Sequence, residues 1–254
     1  MIYETHTHFD DKAFDNDREE AIKAAMAAGV SRIVNVGSSM DSSRRCIELS
    51  KTHPAILASV GVHPEECGDL SEKDMDLLEE YSKNDRVVAI GEIGLDYYWD
   101  EPERDIQKKW FARQIALAKK VKLPVIIHSR DAAEDTFDIL KAEGADEVGG
   151  IMHCYSYSKE MADRFIGLGF YIGVGGVVTF KNGKKLKETV EYIPLDRIVT
   201  ETDSPYMAPV PMRGGRNSSE YLPYIVEEIA RIKGVSSEEV ERVTYENAVR
   251  IFGR

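Results

Sequence analysis

A closed (β/α)8 barrel, the TIM barrel of the α/β class, is the fold this sequence predicts, with residues 1–254 as one domain. Two observations point there. Short Val- and Ile-rich runs without polar alternation recur along the chain, as parallel strands buried on both faces do. Longer amphipathic stretches lie between them, and eight such strand–helix units in uninterrupted series imply a barrel. A doubly wound open sheet is the main alternative. Against it, no Gly-x-Gly-x-x-Gly follows the first run, and polar residues of functional type close many runs rather than one.

The predicted strands are 2–8, 32–36, 56–60, 87–92, 124–128, 149–153, 170–174 and 197–201. Helical patterns cover 15–28, 71–82, 105–121, 132–142, 159–168, 218–233 and 236–252. In 105–121, Ile106, Trp110, Leu117 and Val121 share one side with Phe111, Ile115 and Ala118 beside them, while Lys and Gln take the other. The last helix has Ser236 as its expected N-cap, with Glu239 three residues later. Lys181, Lys184, Lys185 and Lys187 fall in an expected loop after the seventh strand, at the rim of the barrel mouth.

Composition narrows the function. At 43% hydrophobic and 31% charged residues the chain is an ordinary globular protein with a large core. No stretch approaches the ~18–20 apolar residues that span a bilayer. The first residues show no basic or apolar leader, so the expected location is the cytoplasm, away from membranes. Cys46, Cys67 and Cys154 lie far apart, which disfavours a disulfide framework or a zinc finger. A net charge of −12 disfavours a broad electrostatic grip on duplex nucleic acid.

The decisive pattern is one of donor types. His6 and His8, two apart on the first strand, project to one face. The runs 87–92, 124–128 and 149–153 end in Glu92, His128 and His153, and Asp203 follows the eighth. Strand ends reaching water would carry mixed Ser, Asn, Lys and Thr. These carry only metal-ligand types, and barrel strand ends converge on the active mouth. Four histidines and two carboxylates exceed the three protein ligands of a mononuclear catalytic zinc site, so two ions are expected, with Glu92 able to bridge them. Two ions ~3.5–4 Å apart can share a hydroxide that attacks phosphorus and can clamp the displaced phosphoryl oxygens.

The segments THTH (5–8), SVGVHPE (59–65), GEIGLDYY (91–98), PVIIHSRDA (124–132), MHCYS (152–156) and ETDSPY (201–206) resemble those of the TatD-like metal-dependent deoxyribonucleases of the amidohydrolase superfamily. The resemblance implies a two-metal barrel that hydrolyses phosphodiester bonds in DNA, with the bridging hydroxide as nucleophile. By that resemblance His6, His8, Glu92 and Asp203 hold one divalent cation, and Glu92, His128 and His153 hold the other. Asp203 also takes the proton of the attacking water, and His63 faces the substrate phosphate. Zn, Mg, Mn, Ni and Fe are not distinguished. Arg130 is a candidate for bidentate phosphate contact. Arg213 and Asn217 match an Arg-Gly-Asn pattern after the eighth strand, where barrels often bind phosphate.

Asp96 and Tyr97 are expected behind the ligands. Glu201 shares a face with Asp203, and Cys154 is expected to point away from His153. Glu4 and Tyr157 depart from the family pattern, where aspartate and glycine are usual. The expected substrate is single-stranded DNA or strand ends, and no protein partner is inferable. The alternatives are a hydrolase of a small ester, amide or phosphoester on the same barrel, and a metal-stabilised scaffold. A closed four-ligand structural site would mark the scaffold.

Overall fold

The computed structural model describes residues 1–253. In chain order its regular elements are β1 (Ile2–Thr7), α1 (Arg18–Ala27), β2 (Val30–Val36), α2 (Met40–Thr52), β3 (Ile56–Val60), α3 (Glu72–Ser82), β4 (Val87–Asp96), α4 (Arg104–Val121) and β5 (Val125–Arg130). They continue with α5 (Ala133–Ala142), β6 (Gly150–Met152), α6 (Lys159–Gly167), β7 (Phe170–Val174), α7 (Lys184–Tyr192), β8 (Ile198–Thr200), α8 (Leu222–Lys233) and α9 (Ser237–Phe252). The strands follow one another in a single sheet in sequence order, β1 to β8, as in a (β/α)8 barrel. No helix among the described residues is long and apolar enough to cross a membrane.

The chain divides into two compact units. One comprises Val36–His153 and Arg164–Phe170. Within it β3, β4, β5 and β6 pair in parallel, and every residue of β3, β4 and β6 is buried. Helix α4 does more than cover this sheet. Gln107 and Gln114, two turns apart, both lie on its buried face. Gln114 accepts from the Val62 N–H (2.8 Å) and donates to the Val62 carbonyl (3.0 Å). Gln107 does the same to Asp96, at 2.8 and 3.0 Å. Each amide thereby satisfies backbone groups that no strand neighbour reaches, and it fixes the residue next to His63 and the last residue of β4.

The other unit comprises Met1–Asn35, Cys154–Asp163 and the chain from Tyr171 onward. Here β1 pairs with β2 and β7 with β8, again in parallel. A bridge between Thr7 and Ser204 joins the end of β1 to the segment after β8. Ser236 caps α9 as expected, its hydroxyl accepting from the Glu239 N–H at 3.2 Å. Asn247 on α9 donates to the carbonyls of Leu195 and Ile198, the approach to β8.

Three expectations need correction. Helix α2 was not anticipated, because its buried face is largely serine (Ser42, Ser43 and Ser50) rather than apolar. The lysines after β7 lie mostly on α7: Lys184, Lys185 and Lys187 are helical, and Lys187 is paired with Glu228 at 2.9 Å. Finally, β4 and β5 continue past Glu92 and His128 to Asp96 and Arg130, so both residues lie inside strands. Glycines at 91 and 94 hide the continuation of β4. They are needed there: a Cβ on Gly94 (φ +148°) would fall 1.9 Å from the His128 carbonyl oxygen.

Candidate metal centre

Strand β1 carries His6 and ends at Thr7, one residue before His8, rather than running to residue 8 as expected, and the chain after β8 brings a carboxylate to the two imidazoles. Asp203 donates its N–H to the His6 carbonyl (2.9 Å), and His8 donates its own to the Ser204 carbonyl (2.8 Å). The Thr7 and Ser204 hydroxyls meet at 2.5 Å. This stitching leaves His6 Nε2 and His8 Nε2 3.1 Å apart, with Asp203 Oδ1 3.7 Å from the first and 3.5 Å from the second. Two donors each ~2.1 Å from one ion in tetrahedral array lie about 3.4 Å apart, so the three atoms have the spacing of ligands around a cation.

Beneath them Glu4 is fully buried. It accepts from the Thr202 N–H (2.9 Å), the Thr202 hydroxyl (2.7 Å) and the His6 N–H (3.2 Å). Burial raises its pKa to about 8 against the lowering effect of these bonds.

The second donor set lies in the other unit and is built from β4, β5 and the end of β6. Glu92 Oε1 is 3.1 Å from His128 Nδ1 and 3.2 Å from His153 Nε2, while the group with Glu92 whose donor atoms are all at ligand spacing is His63, Glu92 and His128. The opposite nitrogen of His128, Nε2, meets Asp96 Oδ2 at 2.9 Å. A histidine held by a carboxylate on one nitrogen and presented to a cation by the other is the recurring arrangement of metal sites. Burial opposes protonation of His128, but the bonds to Asp96 and Glu92 outweigh it and hold the pKa up at about 8. Asp96 feels the converse: burial raises its pKa, while the His128 bond and the Trp99 and Tyr98 N–H donors carry it below the usual carboxylate range.

His63 joins this set. Its ring stands 4.3 Å from that of His128, and it groups with Glu92 and His128 as a possible third donor. Its Nδ1 accepts from the Glu65 N–H at 3.3 Å and caps the short turn Pro64–Glu66.

A profile of the family described as TatD related DNase matches residues 3–253. The chain belongs to the TatD family. It is 48% identical over 252 residues to the uncharacterized metal-dependent hydrolase YabD of Bacillus subtilis strain 168, covering 99% of each chain. The 3'-5' ssDNA/RNA exonuclease TatD of a Rahnella species is 32% identical, with 99% of this chain and 98% of that one aligned. The crystal structure of YJJV, a TatD homolog from Escherichia coli K12, superposes with a TM-score of 0.94 at 29% identity. That superposition covers 100% of this chain and 98% of the other. The chain is thus a TatD-family metal-dependent hydrolase on a (β/α)8 barrel.

In this TatD-family chain the residues expected around the ligands are placed unevenly. Arg130 is exposed, with its guanidinium 3.8 Å from the centre of the Tyr98 ring. Arg213 is likewise exposed, 4.1 Å over Phe180. Asn217, expected at the substrate, is instead wholly buried. It donates to the carbonyls of Thr202 (2.8 Å) and Tyr206 (2.6 Å) and accepts from the Ser218 N–H, so its amide braces the loop that carries Asp203.

Tyr97 turns toward α5 rather than the ligands, donating to Asp135 at 2.5 Å. Cys154 does not obey strand alternation. It lies past the end of β6 with φ +44°, donates its N–H to Glu201 (2.6 Å) and lines a small pocket with Glu201, Thr202 and Asp203. Glu4, Gln107 and Gln114 were not singled out as supports by the sequence. A buried amide or carboxyl on an otherwise apolar face was the available signal.

If Asp96 orients His128, Asp96→Asn should weaken divalent-metal affinity by roughly 10–100-fold without unfolding the chain, because the amide oxygen still accepts from Tyr98 and Trp99. Calorimetric titration reads this directly. An unchanged Kd would remove Asp96 from the centre.

Proposed function

We propose that this chain is a two-metal phosphodiesterase that cleaves single-stranded nucleic acid, DNA in the first instance. The observation that carries the reading is that His6, His8 and Asp203, and likewise His63, Glu92 and His128, form groups of donor atoms at ligand spacing in a chain of the TatD DNase family. His6, His8 and Asp203 hold one divalent cation, and Glu92, His128 and His153 hold the other. Cations bound there supply Lewis-acid stabilisation of phosphoryl charge and a water acidified enough to attack.

The protein groups do the rest. Asp203 Oδ1, which makes a triangle with the Nε2 atoms of His6 and His8, takes the proton of the attacking water. Asp96 holds the His128 ring with Nδ1 toward the cation. His63 and Arg130 receive the phosphate, and the stack on Tyr98 leaves the edge of the Arg130 fork for oxygen. Arg213 stands at the loop after β8 for a neighbouring phosphate. The acidic chain makes binding short in footprint and salt-sensitive, in keeping with single strands or ends as substrate.

The test compares single-stranded DNA, RNA, duplex DNA and a simple carboxylic ester at matched metal, with bound metal counted on the same preparation. Single-strand cleavage should dominate, at about two ions per chain. Faster ester cleavage would move the reading to a small-molecule hydrolase on the same barrel. One ion per chain at full activity would sink the two-metal reading.

A further inference from the structure

Tyr98 and Trp99 are 56% and 61% exposed, although large aromatic side chains normally bury most of their surface. Their rings meet edge to face at 5.0 Å, and Arg130 covers Tyr98. Trp99 forms one wall of an open cleft of about 410 Å³, within the ~300–1,000 Å³ range of small-molecule sites. The rest of the lining is Glu65, Glu66, Gly68, Asp69, Glu101 and Pro102.

Two lining residues, Trp99 and Glu65, are fastened to the second donor set. Asp96 Oδ1 accepts from the N–H groups of Tyr98 (2.9 Å) and Trp99 (3.0 Å) while its Oδ2 meets His128. Glu65 follows His63 on the turn that His63 caps. The cleft therefore opens beside the candidate metal ligands. Its carboxylates repel phosphate, whereas an exposed indole offers a π-face to any base.

We propose that this cleft is a nucleobase subsite: a base next to the scissile phosphate stacks on Trp99, while Arg130, held against Tyr98, takes the phosphate away from the cleft's carboxylates. The inference rests on the nucleic-acid reading above and names where that substrate's base is bound.

The test uses two single strands of equal length, one of ordinary nucleotides and one whose sugars carry no base. In the parent protein kcat/KM should favour the base-bearing strand by about tenfold, within the range that base–aromatic stacking supplies. In Trp99→Ala that preference should fall to within about twofold, through KM rather than kcat, and Trp99→Phe should restore most of it. A preference that survives Trp99→Ala overturns the subsite while leaving strand cleavage standing.

If neither strand is cut, the nucleic-acid reading fails, and the subsite is decided by binding alone. Oligo-dA should then quench Trp emission saturably in the parent and lose that component in Trp99→Phe. No saturable quench overturns the subsite.

Discussion

Asp203→Asn is expected to lower kcat on a single-stranded oligonucleotide by about 10²–10⁴-fold, the range that a positioned proton acceptor contributes. The fold should survive for a local reason. Asp203 sits at φ +56°, a left-handed conformation that asparagine tolerates nearly as well as aspartate. Its backbone bonds to His6 and Tyr206 do not involve the carboxylate. What is lost is the charge beside His6 Nε2 and His8 Nε2, and with it the cation ligand and proton acceptor that the proposed function assigns to Asp203. The measurement is kcat at saturating metal, with a thermal melt of the same sample. Turnover within about threefold of the parent would remove Asp203 from the chemistry.

The second large effect is expected at Glu92. Its carboxylate is 3% exposed and faces His128 and His153 through a single oxygen. Glu92→Gln keeps the shape but removes the charge and places an amide that can turn an N–H₂ toward two imidazoles. Metal content should drop and activity should fall with it. Counting ions by elemental analysis separates the roles. Loss of both ions fits the bridging expectation; loss of one makes Glu92 a ligand of the His128–His153 set alone. Retention of both would show that Glu92 is not a ligand.

The barrel and the donor types were legible because both leave strong marks. Strands buried on both faces read as unbroken apolar runs, and His6, His8, Glu92, His128, His153 and Asp203 interrupt or close those runs. The supports were less visible. Helix α2 presents Ser42, Ser43 and Ser50 to its neighbours, so apolar periodicity fails. Gln107 and Gln114 look like the solvated side of α4 until their bonds to Asp96 and Val62 are seen. Asn217 carries the residue type of a phosphate contact, yet its amide is consumed by backbone carbonyls. A one-dimensional pattern records which side chains can bind, but not which ones the backbone has already engaged.

Asp96 gives one carboxylate two dependents: the ring of His128 and the turn that presents Tyr98 and Trp99. A ligand that settles that turn also settles the imidazole, so the two binding events share a free energy. Reciprocity then fixes the bookkeeping: whatever factor a cation adds to oligonucleotide affinity, the oligonucleotide must add to cation affinity. On the proposed reading, a strand that steadies this turn and a cation held by His128 would change each other's affinity by one common factor.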